Sequence, residues 1–170
     1  MAETLDRERA DFLEALGAHR QFLRYTTRDL TDEQAGKQTT VSALCLGGLI
    51  KHVAAVEKAW ARFIVEGPQA MAPSEEFSIE AYLNGFRMLP GETLAGLLSV
   101  YEAVAAETDE LVRTLPDLNA DQPLPEAPWF PPGVRRSARR VFQHIIAETA
   151  QHAGHADIIR EALDGAKTMA

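Results

Sequence analysis

At 170 residues, with 46% hydrophobic and 25% charged side chains, the chain has the make-up of one globular domain with a proper core, expected over 1–170. A formal net charge of −8 argues against a general nucleic-acid binder, because phosphate contacts need lysine and arginine. The lone Cys45 rules out an internal disulfide, the charged opening MAETLDRERADF lacks the apolar stretch of a signal peptide, and no apolar run reaches membrane-spanning length, so a cytoplasmic protein without membrane contact is expected.

The first long helix is predicted from about Thr4 to Asp29, with Leu5, Phe12, Leu16, His19 and Leu23 along one face. His19 reads as a hydrogen-bonded core histidine, since no second ligand type accompanies it. Thr31 to Gln34, TDEQ, is a capping-box pattern that starts a short helical turn. The second long helix is predicted from about Ser42 to Glu66. Its inward face reads as Cys45, Leu49, His52, Val56, Ala59 and Phe63, with Trp60 beside them and Lys51, Lys58 and Arg62 opposite. In this register His52 falls in the middle of the apolar stripe. Cys45 shares the face but lies two turns away, about 10 Å along the axis, and reads as a small core residue.

Gly67-Pro68 ends that helix, GPQAMAPSEEF is a loop, and Ser78 to Phe86 is a short helix candidate. Pro90-Gly91-Glu92 opens a third long helix that carries Leu94, Leu97, Leu98, Tyr101, Val104, Leu111 and Val112 to Leu115. No metal-type residue sits on its stripe, so it reads as structural. Pro116 to Pro132 is too proline-dense for regular structure, and no strand is expected anywhere in the chain. Trp129 and Phe130 read as exposed-loop aromatics that cap a bundle end or wall a pocket. The last helix is predicted from its N-cap Ser137 to Leu163, with Gly165 as its stop. Arg135, Arg136, Arg139 and Arg140 crowd its start against the helix dipole; they read as solvated surface, with an anion site as the alternative.

The stretch AETAQHAGHADIIRE in this helix bears the chemistry. Glu148 and His152 are four residues apart, which puts them roughly 40° apart on one face, about a turn from each other. A carboxylate and an imidazole so placed can grip one metal ion, as the paired histidines of H-E-x-x-H do. His155 continues the face, and His144 lies one turn before Glu148 at its edge. Polar groups on an inward stripe need a reason, since burying them unpaired costs several kcal/mol. Metal binding is one reason and a hydrogen-bonded network is the other. Alone, His52 reads as a core histidine; beside Glu148 and His152 it reads as the third ligand, supplied across the interior of an all-α four-helix bundle. A ferritin-like di-iron site is set aside, because it needs carboxylates from several helices and Glu-x-x-His spacing.

Two segments, LGGLIKHVAAVEKAW and AETAQHAGHADIIRE, with RYTTRDLTDEQAGKQTTVSALC, VYEAVAAETDELV and PWFPPGVRRSARRVFQHII around them, give a resemblance over nearly the whole chain. It resembles the DinB-like metal-binding four-helix bundles, and among them the actinobacterial branch of mycothiol-dependent enzymes. His52 matches the family's histidine on the second helix. His152 matches the second histidine of the family's His-x-x-x-His-Arg-Gly-Gln run, Glu148 stands where the first would be, and Ala153-Gly154-His155 replaces Arg-Gly-Gln. Glutamate at that place is similar to the mycothiol-dependent maleylpyruvate isomerase, which holds a divalent metal through two histidines and a glutamate. The harder carboxylate leaves the choice of metal open. That isomerase has a second domain for which 170 residues leave no room, so its reaction is not expected here.

The resemblance implies up-down-down-up topology and a metal held by His52, Glu148 and His152, with zinc expected first and nickel or another ion as alternatives. It implies a low-molecular-weight thiol cosubstrate such as mycothiol, an S-transferase or isomerase reaction on a small electrophile, and a homodimer. Trp60 and the Trp129-Phe130 loop add to the dimer expectation. His155 or His144 would shuttle protons. The competing expectation is a non-catalytic, stress-linked metal-binding dimer.

Overall fold

The computed structural model describes residues 5–72, 78–128 and 130–168. Most helices begin where a side chain satisfies backbone N–H groups that the helix itself leaves open. In α1 (Arg7–Tyr25) the Asp6 carboxylate accepts from Arg9 N, and in α5 (Leu94–Thr114) the Thr93 hydroxyl accepts from Gly96 N. The short α2 (Asp32–Ala35) carries the expected capping box between Thr31 and Gln34, and α4 (Ile79–Asn84) is capped by Ser78. In α6 (Ala138–Asp164) Ser137 accepts from Arg140 N, and Gly165 closes the helix at φ 79°, a left-handed turn that favours glycine. α3 (Leu46–Glu66) starts later than predicted, with Cys45 as an N-cap whose side chain makes no capping bond, and runs into a 3₁₀ turn over Gly67–Met71.

The proline-rich connection is not structureless. Asp121–Pro123 (β1) pairs antiparallel with Arg135–Ser137 (β2), correcting the expectation of no strand. A two-stranded ribbon is all edge, so Pro123, which has no N–H to give, is tolerated at the end of its strand. β2 leads directly into α6 and fixes where that helix begins.

Side-chain contacts set the helix directions. Arg9 donates to Leu115 O at 2.7 Å while Arg24 lies 3.8 Å from Glu102, so α1 and α5 are antiparallel. Arg139 pairs with Glu8 while Arg160 donates to Thr26 O at 2.8 Å, so α1 and α6 are parallel. The rings of His52 and His152 are 4.8 Å apart and those of Trp60 and His144 4.6 Å, so α3 and α6 are antiparallel. The four long helices therefore run up, down, down, up, in an all-α bundle.

The core has two apolar clusters with a polar layer between them. Phe12, Leu16, Trp60, Phe63, Val112 and Phe142 fill one end, and Leu23, Leu49, Ile50, Val53, Tyr101 and Ile159 fill the other. Between them Arg20 hydrogen-bonds Glu57 and, at 2.7 Å, Asp109, and Thr108 on α5 and Thr149 on α6 are also buried. Burial alone would depress Arg20, but the bonds from Glu57 and Asp109 outweigh it and hold the guanidinium above its ordinary range.

This layer corrects two predicted faces. On α1 it is Arg20, not His19, that points inward; His19 is half-buried, its ring 6.3 Å from that of Phe22. On α3 Cys45, Leu49 and Phe63 are buried as predicted, but the buried face extends one position round through Leu46, Ile50, Val53, Glu57, Trp60 and Ile64. His52, Val56 and Ala59 therefore lie at its edge. Phe130 packs against the buried Trp60 at 6.4 Å and is itself half-buried, so it is not an exposed-loop aromatic; Trp129 lies outside the described residues.

Candidate metal centre

Antiparallel packing of α3 on α6 brings His52 to Glu148 and His152. One ligand atom from each lies within 4.8 Å of the other two, and His152 Nε2 is 3.6 Å from Glu148 Oε2. A tetrahedral zinc site with bonds of about 2.1 Å separates its ligand atoms by roughly 3.4 Å, so the His152–Glu148 pair is already near that spacing and the trio could hold a divalent cation if its atoms drew closer. All three residues are half-buried, because His52 lies at the edge of its stripe and not in the middle. The trio is therefore not sealed inside the core.

Neighbouring side chains hold the trio in place. The ring of Phe86 stacks on His52 at 4.1 Å and 25°. Phe86 gets that close because α3 carries glycine below it: a Cβ on Gly48 would fall 1.9 Å from Phe86 O, and one on Gly47 would meet Met88 Sδ at 2.2 Å. His155 Nδ1 lies 3.4 Å from His152 Nδ1, so one ring donates and the other accepts, leaving His152 Nε2 toward Glu148. His144 Nε2 is 3.5 Å from Glu148 Oε1, the oxygen that does not face His152. His155 and His144 thus stand behind two members of the trio rather than within it. Cys45 is buried at the start of α3 with Sγ 3.9 Å from Phe86 O, and it contributes nothing to the trio.

Burial shapes the electrostatics. It pushes the His52 imidazole down to about 4, with the adjacent His152 adding to the effect. His152 is lowered by burial and then by His155. His144 is also lowered by burial, with Glu148 opposing and Arg136 and Arg140 assisting. Neutral imidazoles at pH 7 are the form that binds metal.

The arginine cluster divides. Arg135 pairs with Asp121 at 2.8 Å, Arg139 pairs with Glu8, and Arg140 is exposed, as expected of a solvated face. Arg136 departs from it, with its guanidinium carbon 4.8 Å from the Trp60 ring centre and 5.5 Å from that of Phe130.

Sequence reasoning missed Phe86, Gly48, Arg20 and Glu57. For Glu57 a signal was present: Leu46, Ile50, Val53, Trp60 and Ile64 have the spacing of one helical face, and Glu57 sits in its centre.

The family model described as mycothiol-S-transferase matches residues 11–165. No curated protein matches the sequence. With nearly the whole chain covered by that match, the chain belongs to the mycothiol-S-transferase family.

Proposed function

We propose that the protein is a divalent-metal-dependent S-transferase that joins mycothiol, or an equivalent low-molecular-weight thiol, to a small electrophile, with isomerisation through such an adduct as a variant. The convergence of His52, Glu148 and His152 within 4.8 Å, in a chain of this family, is the observation that carries the reading. Zinc is the ion we assign, from two imidazoles and one carboxylate. A bound cation supplies positive charge that lowers the pKa of an incoming thiol and favours its thiolate. His155 fixes the His152 ring through the contact between their Nδ1 atoms, 3.4 Å apart. His144, kept neutral by burial, is placed to accept the proton that the thiol gives up, and Glu148 Oε1, 3.5 Å from its Nε2, would then face a charged ring. Cys45 has no part in this chemistry.

The homodimer belongs to the same reading, and light scattering at micromolar protein tests it: twice the chain mass is expected, and a monomer removes it. No described helix is long and apolar enough to cross a membrane.

The deciding experiment is metal analysis of protein purified without an affinity tag, followed by calorimetry with mycothiol, bacillithiol and glutathione in buffers of different ionisation enthalpy. Binding should need the metal, release a proton, vanish in His52→Ala and survive in Cys45→Ser. A metal-loaded protein that binds none of the three thiols, or thiol binding that persists after the metal is stripped, overturns the transferase and leaves a non-catalytic metal-binding dimer.

A further inference from the structure

The edge of α3 that carries His52 continues beyond the trio. His52, Val56 and Ala59 are all half-buried, and residues seven apart return to the same helical face about 10 Å along the axis. At Ala59 this edge borders a cleft of about 420 Å³ between α3 and the proline-rich connection. α3 lines it with Ala59 and Trp60, the 3₁₀ turn with Met71, and the connection with Pro125, Pro128 and Phe130. That volume lies in the range of pockets that take small organic ligands.

The connection is a stiff wall. β1 and β2 pin its two ends, Leu124 N donates to Val134 O at 2.9 Å, and Arg135 pairs with Asp121 at 2.8 Å. Between those ends Pro125, Pro128, Pro131 and Pro132 fix φ, and Phe130 N closes a turn on Ala127 O at 3.0 Å. The Arg136 guanidinium rests on the Trp60 and Phe130 rings at 4.8 and 5.5 Å, without lining the cleft itself, and helps to fix both rings. A space walled in this way is formed before a ligand arrives, so little binding energy is lost in ordering it.

The chemistry of the lining limits what fits. Its side chains are apolar and aromatic apart from one carboxylate, that of the exposed Glu126. Among the described residues no lysine, arginine or histidine lines it. A neutral flat molecule buries its surface against Trp60 and Phe130, whereas an anion meets no cation in the lining and is repelled by Glu126. The same Trp60 ring meets His144 in an edge contact at 4.6 Å, and His144 Nε2 is 3.5 Å from Glu148 Oε1. Both helices thus lead from the cleft to the trio, α3 through Val56 and α6 through His144.

We propose that this cleft is the acceptor subsite, and that it takes an uncharged, elongated apolar molecule, with Glu126 turning anions away. Its role as acceptor subsite rests on the S-transferase reading; its selection of uncharged apolar ligands does not.

Matched probes test both parts: 2-naphthamide and 2-naphthoate, titrated by calorimetry into the full chain, first metal-loaded and again after chelation. Naphthamide should bind in both states, and in the chelated protein about fivefold or more tightly than naphthoate. Glu126→Lys, a change at an exposed position, should erase or reverse that preference by tightening naphthoate, and should leave naphthamide unchanged. Ala59→Phe, which fills the cleft, should weaken both probes. The proposal is overturned by no naphthamide binding, by equal or tighter binding of naphthoate to the unaltered protein, by a preference that survives Glu126→Lys, or by undiminished naphthamide binding to a folded Ala59→Phe. The unaltered protein alone decides the first two outcomes if a variant fails to fold. For the acceptor role, naphthamide should shift the ring-proton signals of His144 in NMR spectra of the unaltered protein; binding without that shift removes the role. Failure of thiol binding in the calorimetry above, with the naphthamide preference intact, would remove the transferase and keep the cleft.

Discussion

A Cβ on residue 48 would fall 1.9 Å from the Phe86 carbonyl oxygen, and backbone cannot swing aside as the Met88 side chain near Gly47 can. Gly48→Ala must therefore push the Phe86 segment outward and take the stacked ring off His52, which it now meets at 4.1 Å. Groups that orient a metal ligand are typically worth about 10–100-fold in metal affinity. We expect a loss of that order in Gly48→Ala, read by competition with a chromophoric chelator, with helix content retained. Unchanged affinity would show that Phe86 does not set the His52 ring. The three residues proposed as ligands were legible as candidates in the sequence because histidine and glutamate stand out on helices otherwise lined with aliphatics. Gly48 and Phe86 were not, because their role depends on where a distant segment passes over α3. The placement of His52 was misread for a related reason. Two candidate stripes on that helix differ by one residue, about 100° of rotation, and only packing against α5 and α6 chooses between them.

At the scale of elements, the polar layer of Arg20, Glu57 and Asp109 ties α1, α3 and α5 together at mid-height of the bundle. The Glu57 side chain is 1% exposed and that of Arg20 7%, so neither charge has water to fall back on. Removing one partner of such a pair leaves the other buried and uncompensated, at a cost of about 3–5 kcal/mol. Arg20→Met should lower stability by that amount in urea denaturation. The double variant Arg20→Met, Glu57→Leu should recover most of it, because an apolar replacement of the whole pair is often neutral. A single variant that costs under about 1 kcal/mol, the scale of a surface pair, would mean that the layer is wet. Sequence periodicity reports which residues face inward but not which inward charges meet, since the partners lie on different helices. The same limit hid the ribbon: β1 and β2 are short, and their pairing across the proline-rich loop leaves no alternation to read.

At the scale of the molecule, neither apolar cluster of the described residues includes a member of the His-Glu-His trio, which sits half-buried on the flank where α3 meets α6. The up-down-down-up path came from the resemblance rather than from periodicity, because four amphipathic helices pack in more than one order. Its consequence for metal dependence is physical: the helices bury their stripes against one another, unlike a zinc finger, which needs its ion to fold. His152→Ala should therefore abolish metal binding and leave the circular dichroism of a folded bundle, measured with metal analysis on the same sample. Metal should still raise the melting temperature of the unaltered protein by mass action, about 2.7 kcal/mol of stabilisation at a hundredfold excess over Kd, and should leave that of His152→Ala where it was. A His152→Ala protein that loses its helix together with its metal would instead make the trio a structural clamp between α3 and α6.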